Sequence, residues 1–389
     1  MTTLFWIAVG IVFYTFLGYG IVLFFLQKIK SVISKATDQP QAPAEWPPIT
    51  LIVAAYNEAY ILEEKIANTL SLDYPEDKFH CIFVTDGSTD NSPAIIQQYP
   101  RIQLMHEAER RGKIAAVDRA IEQANTDILI FTDANTLLNK QALKNICKHY
   151  TNPKTGAVAG EKRVKIEETA DATAGEGIYW KYESTLKKWD ARLYSAVGAA
   201  GELFSIRKSL YQAVEPDTLL DDFMISMRIA MKGYRIAYAP DAYATEAASE
   251  NTKEEWKRKV RISAGGIQSF VRLWSLLIPY PNPLFSFMYL SHRVLRWTIT
   301  PYCLLLAFIS NGWLVAAGDA HWFYSLALLA QIGFYGLAMI GWWQSTREMK
   351  SKIFFVPYYF CFMNAAVVAG LFRYLGRKQS VIWEKARRK

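Results

Sequence analysis

The chain has 389 residues, of which 51% are hydrophobic and 21% are charged. This composition excludes an intrinsically disordered protein, and the length suits one catalytic domain with an additional segment. The four cysteines form no C-x-x-C pair, so the sequence predicts neither a disulfide framework nor a zinc site. The net charge of +8 at pH 7 is compatible with nucleic acid, anionic lipid or phosphorylated substrates, and the position of the charges decides among these partners.

Four long stretches of the chain carry no charged residue: residues 4–26, 297–318, 322–344 and 353–372. At about 1.5 Å per residue, the first is long enough to cross a hydrocarbon core of roughly 30 Å. Lys28 and Lys30 follow it as a stop-transfer flank, which favours an uncleaved anchor over a signal peptide. Aromatic residues flank the later runs, as at lipid–water boundaries. We therefore predict an integral membrane protein in contact with the lipid bilayer.

The stretch between the first anchor and the later spans has globular composition. Apolar runs of strand length at 49–55, 81–85, 102–105 and 128–131 alternate with helical spacing at 58–70, 94–99 and 113–124. This alternation predicts an α/β fold with a mostly parallel sheet covered by helices. The predicted organisation is a transmembrane anchor at 1–30, a proline-rich linker at 31–48, a globular domain at 49–270, an interfacial amphipathic segment at 271–296, transmembrane helices at 297–375 and a basic tail at 376–389.

Polar clusters follow three of the predicted strands, at residues 56–58, 86–90 and 132–135. Each cluster alone is also typical of turns and helix caps. Ligands bind at the carboxyl ends of strands in an open α/β sheet, so three clusters at one edge favour a binding crevice. The sequence has no G-x-G-x-x-G and no G-x-x-x-x-G-K-[ST], which disfavours a Rossmann dinucleotide site and a P-loop.

Asp133 and Asn135 lie two residues apart in the third cluster, so a short loop can turn both side-chain oxygens toward one cation. Hard oxygen ligands suit Mg²⁺ or Mn²⁺, whose coordination is usually completed by phosphate oxygens of the substrate. The substrate that fits such a site is a nucleoside diphosphate derivative. A metal there would neutralise charge on the departing diphosphate.

Several motifs together resemble family 2 glycosyltransferases with the GT-A fold, and the membrane helices narrow the resemblance to synthases of hyaluronan, cellulose and poly-N-acetylglucosamine and their non-processive relatives. The match spans roughly residues 49–270. In order along the chain, the motifs are V-A-A-Y-N-E at 53–58, T-D-G-S-T-D at 85–90, G-K at 112–113, T-D-A-N at 132–135, G-A-A-G at 198–201, D-D at 221–222 and R-K-V-R-I at 258–262.

The resemblance implies roles for the crevice residues. Tyr56, Glu58 and Asp86 would hold the uracil and ribose of a UDP-sugar, and Lys113 would meet the nucleotide, although a lysine in a first helical turn can also be simply solvated. Asp133 corresponds to the first metal-binding aspartate. Asn135 replaces a second aspartate, so it remains an oxygen ligand without charge.

Asp221 and Asp222 open a predicted helix at 219–232, where acids also favour the positive end of the helix dipole. In the resembling family this position holds a Glu-Asp pair whose aspartate takes the proton from the acceptor hydroxyl. Asp222 falls on that aspartate and Asp221 on the glutamate. One general base without a second nucleophile implies direct displacement with inversion.

Arg258 and Arg261 are three residues apart, so on a helix they share one face and can bind phosphate oxygens. A basic stripe that binds anionic lipid is the alternative interpretation. In the family that the chain resembles, the motif at this position is Q/R-x-x-R-W. Ile262 replaces its tryptophan, so the motif does not decide whether the enzyme is processive.

The resemblance implies an inverting, metal-dependent hexosyltransferase that moves a sugar from a UDP-sugar of the UDP-GlcNAc or UDP-glucose type to a growing polysaccharide. The alternative is a non-processive enzyme that acts once on a lipid acceptor. Export or accessory membrane subunits are possible partners, and nucleic acid is not an expected one, since no binding sheet or helix-turn-helix spacing occurs. A transporter is disfavoured because the spans lack internal repeats and charges.

The positive-inside rule places the catalytic domain in the cytoplasm, on the inner face of the plasma membrane, because Lys28, Lys30 and Lys35 follow the first anchor. Three later crossings would leave the basic tail outside, against the same rule. We therefore expect the last apolar run, broken near Pro357 and carrying Asn364, to be re-entrant or interfacial. Residues 284–296 are expected to form an interfacial amphipathic helix.

Overall fold

The structure is a computed structural model, and it describes residues 1–33, 40–164, 173–247, 251–278, 281–318, 321–345 and 351–376. Part of the predicted linker and nearly all of the predicted basic tail lie outside the described residues. The chain forms two compact units. Of the described residues, 1–33, 173–189 and those from 251 to 376 belong to the helical unit, and 40–164 and 190–247 belong to the sheet unit.

The helices and strands follow one another along both units. In chain order, the helices are α1 Thr2–Ile33, α2 Ala59–Leu70, α3 Ser92–Gln97, α4 Lys113–Gln123, α5 Ala142–Cys147, α6 Thr173–Leu193, α7 Asp221–Met231, α8 Thr252–Arg272, α9 Pro283–Trp297, α10 Thr300–Ala316, α11 Trp322–Ser345 and α12 Lys352–Leu375. The strands are β1 Ile49–Ala55, β2 Phe79–Asp86, β3 Gln103–Glu107, β4 Ile128–Asp133, β5 Thr136–Leu138, β6 Thr155–Val164, β7 Leu203–Arg207 and β8 Arg235–Glu246.

All eight strands form one sheet with the order β3-β2-β1-β4-β7-β6-β8-β5. The pairs among β1 to β4 are parallel, as is the pair of β6 with β8, whereas β7 and β5 pair antiparallel with their neighbours. Helices flank this mixed sheet, in which four of the seven strand pairs are parallel, so the predicted α/β class is confirmed.

Strand β1 is buried along its whole length and is apolar except for Thr50, as is typical of a parallel strand covered on both faces. Leu51 and Val53 belong to one core cluster with Leu62 and Ile66, which lie on one face of α2. Each predicted strand from 49 to 131 is present with bounds shifted by two residues at most. The sequence analysis did not predict β5 to β8, since β5 is only three residues long and β6 ends in charged side chains.

Among the residues that the structure describes, three helices are long and apolar enough to cross a membrane: α1, α11 and residues Ile353–Leu375 of α12. Helices α9 and α10 are long and apolar enough to cross a membrane only when taken together, and the angle of the bend between them is 60°. The helix predicted at 284–296 is therefore present as α9. Both residues 173–189 and α8 belong to the helical unit, so the two units divide the predicted domain at 49–270, and its boundaries stay a prediction.

The expected break near Pro357 is wrong, because α12 continues through this residue from Lys352 to Leu375. Proline removes a hydrogen bond to the carbonyl four residues earlier. For Pro357 that carbonyl belongs to Ile353, in the first turn of the helix, where the loss interrupts little of the helix.

We predict that Gly198→Ala destabilises the protein by about 3 kcal/mol, and Gly233→Ala by only about 1 kcal/mol. Both glycines have a positive φ, of 85° and 86° respectively, so both substitutions carry the left-handed backbone cost. An added Cβ at Gly198 would overlap the Phe223 ring, whereas nothing lies within 4 Å of one at Gly233. Thermal unfolding of the detergent-solubilised protein measures both. Equal losses would contradict the close packing of Gly198 against α7.

Candidate active site

The carboxyl ends of β1, β2 and β4 meet at one edge of the sheet. The strand register pairs Ala55 with Thr85 and Ala54 with Asp133. Because β2 ends at Asp86, the carboxylates of Asp86 and Asp133 follow the strands on either side of β1. The convergence predicted from the sequence is therefore present.

Two polar residues at this edge tie the loops after β1 and β2 together. Asn57 has a left-handed backbone with φ of 53°, and its Oδ1 accepts a hydrogen bond from the Thr89 N–H at 2.8 Å. Asp90 accepts from the backbone N–H groups of Ala59 and Ser92, both at 3.0 Å. Asn57 and Asp90 thus perform the turn and cap chemistry that is the alternative interpretation of these clusters.

Asp86 fixes the loop that leads into α4. One of its carboxylate oxygens accepts from the backbone N–H groups of Arg111, at 2.9 Å, and Gly112, at 2.6 Å. Arg119 lies 3.4 Å from the other oxygen. Gly112 has φ of 97°, a conformation that favours glycine. These contacts set the position of Lys113, the first residue of the helix.

A small pocket lies beside this loop. The guanidinium of Arg110 lies 3.7 Å from the centre of the ring of Tyr56, one of the residues expected to hold the uracil and ribose, and it covers one face of this ring. Glu58 is only 3% exposed, and its backbone N–H donates to the Ser92 hydroxyl at 3.0 Å. The pocket is lined by Tyr56, Asp86, Arg110, Gly112 and Lys113, among others.

Lys113 lies among the acidic side chains of the site. Its Nζ donates to Asp133 Oδ1 at 2.8 Å. Burial alone would lower the pKa of Lys113, but the charges of Asp133, Asp221 and Asp222 raise it well above its usual range. The lysine is therefore protonated at neutral pH, and it connects the end of β4 with the start of α7.

Asp221 and Asp222 occupy the first turn of α7, as predicted, at the positive end of the helix. Burial and the neighbouring Asp221 charge raise the pKa of Asp222 to about 7, against the opposing effect of Lys113. Gly201 leaves space between these groups, since an added Cβ would lie 3.3 Å from Asp222 Oδ2 and 3.7 Å from Lys113 Nζ. A carboxylate with this pKa suits a general base at neutral pH.

The residues at the end of β4 fit a divalent metal. Asn135 Oδ1 is buried and accepts no hydrogen bond from the part of the chain that the structure describes. With Asp133 it offers one charged and one neutral oxygen, the donor type that Mg²⁺ and Mn²⁺ prefer. Among the described residues, no group of three or more His, Cys, Asp or Glu side chains could hold a metal alone. Substrate oxygens would therefore have to complete the coordination.

Lys65 lies beneath this metal-binding loop and was missed as a functional residue. It is fully buried on α2, and its Nζ donates to the Thr136 carbonyl at 2.7 Å and to the Thr132 hydroxyl at 3.2 Å. Thr132 also donates to the Glu202 carbonyl at 2.8 Å. Burial lowers the pKa of Lys65 to about 7, although the nearby charge of Asp133 opposes this effect. Lys65 thus holds both ends of the Asp133–Asn135 turn.

Arg258 and Arg261 lie in the other unit, on α8, which confirms the predicted helix. Arg258 forms two hydrogen bonds to Glu255, both of 3.0 Å. Because the two arginines and the acidic site belong to different units, the role of these arginines in diphosphate binding stays a prediction.

Comparison with known proteins identifies the class of the site. Residues 50–214 match the model of the family described as glycosyl transferase family 2. Over 304 residues, the chain is 27% identical to a poly-beta-1,6-N-acetyl-D-glucosamine synthase of Staphylococcus aureus, covering 76% of this chain and 70% of the relative. It is 26% identical over 266 residues to the Staphylococcus epidermidis protein of the same name, covering 66% of this chain and 64% of the relative.

A solved structure extends the similarity to almost the whole chain. The mannosyltransferase PcManGT from Pyrobaculum calidifontis, solved in complex with GDP-Man and Mn²⁺, superposes with a TM-score of 0.74 at 25% identity. The similarity covers 96% of this chain and 99% of the mannosyltransferase. The chain therefore carries a family 2 glycosyltransferase domain with the GT-A fold, and it is a glycosyltransferase that resembles poly-N-acetylglucosamine synthases.

Proposed function

We propose that the chain is an inverting glycosyltransferase that moves a sugar from a UDP-sugar, of the UDP-GlcNAc or UDP-glucose type, to a growing polysaccharide at the membrane. The observation that carries this proposal is the cluster of Lys113, Asp133 and Asp222. It combines a metal-compatible carboxylate, a fixed cation and a carboxylate with a pKa suited to proton transfer.

The donor is proposed from chemistry and similarity together. The staphylococcal relatives are named as synthases of an N-acetylglucosamine polymer, which favours UDP-GlcNAc. The mannosyltransferase was solved with GDP-Man, so a guanine nucleotide is the competing donor. Asp86 and Arg110 line the pocket beside Tyr56, and either a uracil or a guanine ring could stack on the guanidinium plane of Arg110.

Asp133 and Asn135 would hold a Mg²⁺ or Mn²⁺ ion together with the donor diphosphate. Such an ion supplies charge neutralisation for the departing diphosphate. Lys113 adds a fixed positive charge at the same place, and it can shift from Asp133 toward a phosphate oxygen. Lys65 keeps the turn between Thr132 and Thr136 in position for both ligands.

Asp222 is the proposed general base. It takes the proton from the acceptor hydroxyl while that oxygen attacks the anomeric carbon and the bond to the diphosphate breaks. Because the nucleophile and leaving group lie on opposite sides of this carbon, the configuration inverts. A growing polysaccharide is the preferred acceptor on the similarity to the synthases. Single transfer to a lipid remains the alternative, since Ile262 replaces the tryptophan of the processive motif.

We further propose that α1 ends in the cytoplasm and that the basic tail lies there too. Trp6 donates to Tyr324 at 3.1 Å, and Thr15 contacts Thr300 at 2.9 Å, so α10 returns antiparallel to α1 and α11 crosses again. Helix α12 then runs parallel to α8, with Trp256 against Phe362 at a ring-centre distance of 5.2 Å. Seven of the first ten residues of α8 are charged, which favours an interfacial position for this helix. Phe360 of α12 lies 5.7 Å from Phe334 in the middle of α11, so α12 is proposed to be re-entrant or interfacial, which leaves the tail in the cytoplasm.

The donor assignment predicts that purified protein releases UDP from UDP-GlcNAc in the presence of Mn²⁺ and that a chelator abolishes this release. Labelled UDP-GlcNAc, UDP-glucose and GDP-mannose are compared at equal concentration. Faster turnover of GDP-mannose than of either UDP-sugar would contradict the uridine donor. Product sizing then separates a polymer from a single transfer.

Asp222→Asn should bind donor almost normally and lose about 10²-fold to 10⁴-fold in transfer rate, because only the proton transfer is lost. In the wild type the rate should rise with pH up to about 7, as Asp222 ionises, and then level off. The remaining activity of the variant should lack this rise. Turnover between pH 5 and 9 measures both, with the exposed Asp217→Asn as the matched control. Near-normal turnover of Asp222→Asn would show that Asp222 is not the base.

Asp133→Ala should affect donor binding as well as transfer, unlike Asp222→Asn, because Asp133 acts on the bound diphosphate. We expect it to abolish transfer and also to weaken Mn²⁺-dependent UDP binding by at least about tenfold, roughly 1.4 kcal/mol. Calorimetric titration of UDP with and without Mn²⁺ measures the binding. Unchanged metal-dependent binding would place the metal elsewhere.

A further inference from the structure

The helical unit contains an apolar groove between α8, α11 and α12. It encloses about 650 Å³, a volume typical of ligand-binding sites. Its walls are almost entirely apolar and include Trp256, Ala338, Met339, Trp342 and Phe362. Nothing in the glycosyl transfer chemistry above uses these residues.

The groove is shaped by tight contacts between the helices that form it. Gly341 allows the backbone of α12 to approach α11 closely, since an added Cβ would overlap the Phe354 carbonyl. Trp256 of α8 packs edge-on against Phe362 of α12. Between these two contacts, the small side chain of Ala338 leaves a depression next to Met339 and Trp342, which are 68% and 61% exposed. The walls are therefore preformed.

Polar groups enter the groove where two of its helices end or begin. Ser345 is the last residue of α11, and Thr252 and Lys253 form the first turn of α8. Within the described residues, Lys253 makes no ion pair. The two acids that follow it are engaged elsewhere, because Glu254 pairs with Lys257 at 2.8 Å and Glu255 pairs with Arg258 at 3.0 Å. Among the described residues, no acid therefore compensates the positive charge of Lys253 at the mouth of the apolar groove.

The length of the groove matches one leaflet of a bilayer. Its wall on α11 runs from Tyr335 to Ser345, about 15 Å at 1.5 Å per residue, which is half of a hydrocarbon core of roughly 30 Å. Trp342 lies near the polar end of the groove, and tryptophan is enriched at lipid–water boundaries. A ligand here has its head near Lys253 and its chain along Met339 and Ala338.

We infer that this groove binds one acyl chain of an anionic glycerophospholipid, with the lipid phosphate paired to Lys253. This inference rests on the membrane position proposed above. The positive charge selects an anionic headgroup over a zwitterionic one. The one-leaflet length selects an ordinary acyl chain over the much longer chain of a polyprenyl phosphate. The bound lipid would fill the space between α11 and the α8–α12 pair.

The test is native mass spectrometry of the full-length protein in micelles that contain equal amounts of phosphatidylglycerol and phosphatidylcholine. We expect the wild type to retain phosphatidylglycerol at least about fivefold over phosphatidylcholine. Lys253→Gln should remove this preference, and Ala338→Trp should remove retention of both lipids by filling the groove. Lys257→Gln on the same helix and Ala330→Trp on the exposed side of α11 are the matched controls and should behave as the wild type.

Three outcomes would overturn the inference: equal retention of the two lipids by the wild type, unchanged retention in Ala338→Trp, or displacement of phosphatidylglycerol by an equal amount of polyprenyl phosphate. Lys253 is exposed, so Lys253→Gln tests the headgroup contact even if Ala338→Trp fails to fold. UDP release from UDP-GlcNAc, measured on the same preparations, separates a failure of lipid binding from a failure of the proposed transfer.

Discussion

The candidate active site depends on the placement of one ammonium group among three carboxylates. The negative charges of Asp133, Asp221 and Asp222 repel one another, so a positive charge between them stabilises the arrangement. Lys113 supplies that charge. Its ammonium group is also compatible with a bound diphosphate, because it can donate a hydrogen bond to a phosphate oxygen. The acids thus stay close enough to act on one substrate.

Much of the surrounding structure serves to hold this lysine and its partners in position. The carboxylate of Asp86 fixes the loop before Lys113 through two backbone N–H groups, so its effect on the nucleotide is partly indirect. Lys65 holds the turn that carries Asp133 from below. Gly201 provides the space beside Asp222. These contacts position the side chains that would bind metal and diphosphate.

The parallel half of the sheet could be predicted because β1, β2 and β4 are largely apolar runs that end in polar clusters, and such runs are typical of a buried parallel sheet. The antiparallel half could not, since β5 is short and β6 mixes charged residues with apolar ones. Lys65 could have been noticed as a lysine in the apolar stripe of α2, between Leu62 and Ile66.

Other features depend on tertiary contacts that no local pattern encodes. The stacking of Arg110 on Tyr56 joins residues 54 positions apart. The separate roles of Asp86, which holds a loop, and Asp133, which contacts Lys113, follow from which backbone groups lie near each carboxylate. Residue types alone make these two aspartates equivalent, and only the fold distinguishes them.

Asn135 is proposed to be a neutral metal ligand beside Asp133, and restoring a charge at this position tests the proposal most directly. Mn²⁺ binding to wild type and Asn135→Asp is measured by electron paramagnetic resonance, with the nucleoside diphosphate that the enzyme releases held at saturation. We predict about tenfold tighter Mn²⁺ binding in Asn135→Asp, roughly 1.4 kcal/mol, because a second carboxylate faces the same ion. Unchanged or weaker binding would contradict the assignment of the metal to the end of β4.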